Sequence, residues 1–302
     1  MKKILALLLA LVMVFALAAC GSGTTTTAPA ATEAPAAAEE PAAEEPAAEP
    51  AGESAAEPVE IIVFAAASMT ETLTEIKGMY EAANPGVTIT YNFDSSGTLK
   101  TQIQEGADCD LFISAAPKQM NQLDASKDSE ANPDGLDFVV EGSRIDLLEN
   151  IVVLVVPEGN PKAIDSFDSL AQHLKDGDVL MAMGNSDVPV GQYTQKILAY
   201  YELDEEALAN SGLITYGSNV KEVTTQVSKA SVDCGVVYGT DAASAGLDPV
   251  DTATEAMVGR AIYPAAVMKC SANPEAAQAF LDYIATGEGR DILDACGFLM
   301  LT

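Results

Sequence analysis

The chain is poor in the residues from which most catalytic and metal sites are built. Its 302 residues include one histidine, no tryptophan and five cysteines, and only 15 Lys and Arg against 45 Asp and Glu. The shortage of basic side chains leaves a net charge of −30. Beyond Glu60 the chain still carries 36 acidic and 13 basic residues, a net of −23. Such a surface repels phosphate backbones and anionic headgroups, which argues against nucleic acid as a partner. Any anion held here must be held locally, against the general field. The single histidine, His173, lies in a polar helical stretch outside any nucleophile motif, so a Ser-His-Asp hydrolase is disfavoured. No two of Cys20, Cys109, Cys234, Cys270 and Cys296 form a C-x-x-C pair, which argues against a zinc knuckle or a redox motif. Whether the last four form disulfides is left open by the sequence. A receptor for a metal cation would need clustered His, Cys or carboxylates, and Asp108 and Asp110 read better as flanks of a strand start. Ser218-Asn219-Val220-Lys221 fits S-x-x-K, but the S-D-N and K-T-G partners of the penicillin-recognising enzymes are missing.

Large apolar side chains are also missing from a long early stretch. Lys2 and Lys3 precede an unbroken apolar run from Ile4 to Ala18, a signal-peptide pattern over residues 1–19. Leu17-Ala18-Ala19-Cys20 follows and resembles the lipobox of bacterial lipoproteins, which implies a lipidated Cys20 as the mature N-terminus. Residues 20–58 alternate Ala, Glu and Pro irregularly. They cannot bury enough surface to offset the entropy of ordering, so they read as an extended tether that holds a domain off a membrane. Residues 59–302 remain, enough for one large domain or two lobes.

In that remainder strands alternate with helices, which predicts an α/β fold with mainly parallel sheets. Ile61 to Phe64 is an apolar, β-rich run suited to a strand buried on both faces. Three alanines lead to Ser68, and Glu71 three residues on predicts a capping box. Three further helix starts look alike: Ser96-Gly97, Pro189-Val190-Gly191 and Asn219-Val220. Each offers N–H groups without intrahelical partners and a positive dipole end, and none is read as carrying a Lys or Arg. Tyr238 ends the strand Gly235-Val236-Val237-Tyr238, where its hydroxyl could face a cleft. If these points converge they form a neutral cage of donors, suited to a fully ionised oxyanion.

Several motifs together resemble the molybdate-binding proteins of ABC transporters. They are Phe64-Ala65-Ala66-Ala67-Ser68-Met69-Thr70, Asp94-Ser95-Ser96-Gly97-Thr98-Leu99, and the run from Gly106 to Ala115. The runs from Gly184 to Tyr193 and from Gly235 to Ala242, and then Tyr263-Pro264-Ala265-Ala266-Val267, continue the resemblance in order. It implies a type II periplasmic-binding-protein fold of two α/β lobes joined by a hinge, with the ligand in the cleft. The implied lobes are about 59–148 with 270–302, and about 149–269, crossing near Glu149 to Ile151 and near Val267 to Ser271. The family holds its anion with hydroxyls and main-chain N–H groups. These fall here on Ser68, Ser96, Val190 (main chain), Val220 (main chain) and Tyr238, with Val190 where alanine is common. The resemblance further implies molybdate, with tungstate beside it, bound as an oxyanion without a cofactor or catalysis. It implies a permease as partner, a monomer, and a lipid-anchored place on the outer face of the cell membrane. Sulfate or another oxyanion is the alternative within the same fold.

Overall fold

In the computed structural model residues 58–302 are described. The expected signal peptide, the lipidation site at Cys20 and nearly all of the tether lie outside the described residues.

The chain opens with β1 (Val59–Ala66), a single 3-10 turn (Ala67–Met69) and α1 (Thr70–Ala83). It continues through β2 (Val87–Asp94), α2 (Ser96–Gln104), β3 (Leu111–Ile113), α3 (Pro117–Asn121) and β4 (Ile145–Asn150). Next come β5 (Val152–Val155), α4 (Phe167–Asp176), β6 (Met181–Gly184), α5 (Pro189–Tyr200), α6 (Glu205–Asn210) and β7 (Ile214–Gly217). After these stand α7 (Val220–Ser228), β8 (Cys234–Tyr238), α8 (Gly239–Ser244), β9 (Pro249–Thr252) and α9 (Glu255–Val258). The chain closes with β10 (Ala261–Val267), α10 (Pro274–Thr286), α11 (Glu288–Ala295) and β11 (Leu299–Met300).

Two sheets organise these elements. One has the order β11-β4-β10-β3-β1-β2, the other β7-β6-β8-β5-β9. β1 lies between β2 and β3, parallel to both. Ile61, Val63, Phe64 and Ala65 are all buried, so β1 is covered on both faces, as its apolar run predicts. Each fully buried Ile or Leu contributes roughly 1.5–3 kcal/mol, which makes these strands the rigid floor on which the loops above them are set. In the second sheet β6 is parallel to β7 and β8, while β5 runs antiparallel to β8 and β9.

The chain passes from the first sheet to the second at Ile151, between β4 and β5. It returns at Gly259–Arg260, between α9 and β10. The return was expected near Val267 to Ser271, on the assumption that Ile262–Met268 belonged to the second lobe. Instead β10 runs antiparallel between β3 and β4. An apolar strand of this kind fits the centre of either sheet, and only its partners distinguish them. Among the elements without a sequence signal are β4, β9 and β11. β9 is a half-exposed edge strand containing Pro249, and β11 is two residues long.

Local chemistry at the helix starts is partly as expected. Asn219 caps α7 by accepting from Glu222 N–H, and Ser166 and Ser169 form a capping box on α4. Ser95, not Ser96, caps the second helix: its Oγ accepts from Thr98 N–H at 3.1 Å. The Ser68–Glu71 capping box does not form. Ser68 lies within the 3-10 turn, and α1 starts after Met69 with no side-chain cap. Both side chains are engaged elsewhere, as the cleft between the lobes shows.

Candidate functional site: a closed slot between the lobes

The carboxyl ends of β1, β2 and β3 meet those of β6, β7 and β8 across the cleft, the place where open α/β sheets offer loops and helix N-termini to a ligand. The walls of one small pocket there include Ser68, Ser95, Ser96 and Ala115 from the first lobe, and Val190, Val220 and Tyr238 from the second. All five residues singled out by sequence therefore line one space. The pocket has about 200 Å³ of empty volume. It is a slot for one compact group, not a groove for an extended organic substrate.

Helix starts supply most of the wall. Ser96 and Val220 are the first residues of α2 and α7, and Val190 is the second of α5. N–H groups at such positions have no carbonyl one turn back and carry the positive end of the helix dipole. Close backbone approach sets up the α5 start: a Cβ on Gly191 would stand 2.3 Å from the carbonyl oxygens of Gly184 and Asn185. Only glycine admits that turn.

The hydroxyls are held from behind. Ser96 is fully buried, and its Oγ accepts from Ala115 N–H at 2.9 Å. Ser68 Oγ lies 3.0 Å from the hydroxyl of Tyr263. Tyr238 reaches across the cleft and donates to Ala115 O at 3.3 Å. Burial, with nearby ionisable groups adding to it, pushes the hydroxyls of Tyr238 and Tyr263 well above the usual phenol range, so both stay protonated. One carboxylate, Asp94, is also on the wall. Its Oδ1 accepts from Ser95 N–H at 2.7 Å.

A cation does stand at one of the helix starts, contrary to expectation. Lys221, in the first turn of α7, places its Nζ 2.7 Å from Glu71 Oε2 of the first lobe and 2.9 Å from Asp241 Oδ1 of the second. Burial pulls the lysine down, but Asp241 and Glu71 outweigh it and hold the ammonium above its ordinary value. Burial lifts Asp241 to about 6, against the opposing pull of Lys221. The ammonium is thus occupied by two carboxylates and does not line the slot. Its neighbours come from separate segments, which is why the sequence concealed them.

The lobes touch in other places. Gly97 N–H donates to Asp187 O at 3.1 Å, so α2 rests directly on the loop before α5. A hydrogen-bonded group also lies beneath the slot: Asn150 Nδ2 is 2.8 Å from Thr240 Oγ1 and 3.4 Å from Tyr263 Oη. Tyr263, Asn150, Lys221 and Gly97 were missed as contributors to the site. Tyr263 was visible only as part of a motif. No pattern in the sequence indicated that its hydroxyl meets Ser68. Among the described residues no group of three or more His, Cys, Asp or Glu converges as a metal site, and no helix is long and apolar enough to cross a membrane.

Two α/β lobes crossed twice by the chain and closed over a slot of hydroxyls and helix N-termini define a solute-binding protein of the type II periplasmic kind. The chain belongs to the bacterial extracellular solute-binding protein family, whose model matches residues 61–299. A protein of Bacillus subtilis, YvgL, which carries the name of an ABC transporter substrate-binding lipoprotein, is 32% identical over 80% of this chain and 86% of its own length. The molybdate-binding protein ModA of Escherichia coli is 32% identical, over 82% of this chain and 92% of its own. The fold matches the periplasmic molybdate-binding protein of Azotobacter vinelandii with a TM-score of 0.67, at 21% identity, over 80% of this chain and 100% of that one.

Proposed function

We propose that this chain captures molybdate, and tungstate with it, and delivers the oxyanion to an ABC permease without chemical change. The observation that carries the reading is the slot itself. Ser68, Ser96, Val190, Val220 and Tyr238 face one small space, and the Lys221 ammonium at the start of α7 is already paired with two carboxylates. A buried dianion needs many donors, because an unpaired charge away from water is costly. Neutral dipoles fixed by the backbone supply them without attracting anions indiscriminately. The names of the two curated relatives, one for molybdate and one for ABC transport, point the same way. In this reading no cofactor is required, the bound metal is held only through its oxo groups, and the receptor acts as a monomer. The expected discrimination against sulfate comes from size: a smaller tetrahedral anion cannot reach every donor at once. Calorimetric titration with molybdate, tungstate and sulfate tests this. Sulfate bound as tightly as molybdate, or molybdate not bound at all, overturns it.

The second part of the proposal is the anchor. Cys20 at the end of the apolar run is lipidated in this reading, and residues 20–58 hold the receptor beside its permease on the outer face of the membrane. Cys20→Ala is expected to release or misprocess the protein. Unchanged membrane partitioning of that variant, with no lipid on the N-terminal peptide, refutes the anchor.

A further inference from the structure

Beneath the slot lies a chain of hydrogen bonds whose direction is determined at its far end. It begins at Ile151, where the chain first crosses between the lobes. Ile151 N–H can only donate, and it donates to Asn150 Oδ1 at 2.9 Å. That contact settles which end of the Asn150 amide is oxygen. The Asn150 amino group must then face Tyr263 Oη, at 3.4 Å, and Thr240 Oγ1, at 2.8 Å. An amide NH₂ has no acceptor capacity, so the phenolic proton of Tyr263 cannot go to Asn150. The Tyr238 hydroxyl is also a neighbour of Tyr263, but it directs its own proton to Ala115 O, and the close partner able to accept from Tyr263 is Ser68 Oγ, 3.0 Å away. Tyr263 and Asn150 are both almost wholly inaccessible to solvent, so water offers no alternative.

We infer that Tyr263, oriented by Asn150, is a positioning residue for anion binding: it donates to Ser68 Oγ and so leaves the Ser68 proton free to point into the slot. Ser96 reaches the same state by another route, because the Ala115 N–H behind it is a fixed donor. Each serine oxygen is thus supplied with a hydrogen bond from the protein side and presents its own O–H to the ligand. Without Tyr263 the Ser68 hydroxyl is free to rotate, and the site pays for aligning it at each binding event. The phenol stays protonated at every working pH, since burial first and Asp241 second hold it well above its ordinary range.

The inference rests on the reading of the slot as an oxyanion site, and a double-mutant cycle tests it. Molybdate, tungstate and sulfate are titrated into wild type, Tyr263→Phe, Ser68→Ala, Ser96→Ala and the two double variants carrying Tyr263→Phe, with melting temperatures taken in parallel. For the tightest-bound anion, Tyr263→Phe is expected to weaken binding about fivefold, the scale of one neutral hydrogen bond. In the Ser68→Ala background the same change is expected to cost less than about twofold, while in the Ser96→Ala background it keeps its full effect. A general packing role would weaken binding equally in all three backgrounds. Equal losses, or no loss from Tyr263→Phe, overturn the relay and leave the oxyanion reading standing. Failure of wild type to bind any of the three anions overturns both.

Discussion

Gly97 is where the closed form is most open to a single-atom test. Its N–H donates to Asp187 O at 3.1 Å across the cleft. A Cβ added there would stand 2.3 Å from that oxygen and 2.8 Å from Asp187 Cβ, more than about 1 Å inside ordinary contact. Gly97→Ala should therefore leave each lobe intact, since the position lies in a helix and tolerates alanine locally, but should prevent the lobes from meeting. Overpacking of a tight contact costs about 1–3 kcal/mol and loss of the hydrogen bond about 1 kcal/mol. The two together bear only on the closed form, so affinity for the ligand should fall roughly 30- to 1,000-fold at 1.4 kcal/mol per decade. Calorimetry on the variant measures this, and small-angle scattering reports closure through the decrease in radius of gyration on ligand addition. The ligand-free melting temperature should be unchanged or slightly higher. Wild-type affinity in a folded Gly97→Ala protein, with normal compaction on binding, would refute the argument that this contact accompanies capture.

The other expectations concern the hydroxyls and the buried charges. Ser68→Ala and Ser96→Ala should each weaken molybdate about ten- to a hundred-fold, from about 1.5–3 kcal/mol for a hydrogen bond to a charged group. Ser96→Ala should also lower the melting temperature, because it leaves the buried Ala115 N–H without its acceptor, and Ser68→Ala should do so too, because it leaves the buried Tyr263 hydroxyl without its own. Glu71→Gln, which loosens the bridge to Lys221 between the lobes, should cost affinity no more than a few-fold, since Glu71 is half exposed and such pairs contribute at most about 1 kcal/mol. That loss should vanish in high salt, and a persistent loss would show that the pair acts otherwise. Asp241 predicts a pH dependence of known sign. Its folded-state value of about 6 lies above the ordinary 3.8, so the native state holds a proton that the unfolded state has lost. The stabilisation is complete below about pH 4 and disappears as pH rises through about 6. The melting temperature of wild type should therefore fall relative to Asp241→Asn over that interval. A flat or rising difference contradicts the assignment.

Much of this molecule is local in origin. The apolar run at Ile61–Phe64 forms a central strand because four consecutive side chains of that kind can be buried only where both faces are covered. Asn219, Ser166 and Asp204 cap helices because a short side-chain oxygen beside a free N–H needs nothing from afar. The helix starts that meet at the slot were legible for the same reason. The sequence was silent wherever two segments had to be brought together. It could not tell that β10 would enter the first sheet, because an apolar strand carries no label for its neighbours. It suggested a cap for Ser68, since serine followed by glutamate three residues later satisfies that local rule, but Tyr263 is 195 residues away in the chain and takes the hydroxyl instead. Glu71 and Lys221, 150 residues apart, likewise pair only once the lobes face each other. Sequence alone thus determined most of the elements, their order and the donor-rich ends of their helices, because hydrogen bonding and burial along a few residues decide those, while β4, β9 and β11 carried no such signal. Which donors face one another, which hydroxyl proton is free and which charge is already neutralised were decided only by the tertiary structure, since each depends on atoms that the chain brings within hydrogen-bond distance from distant positions.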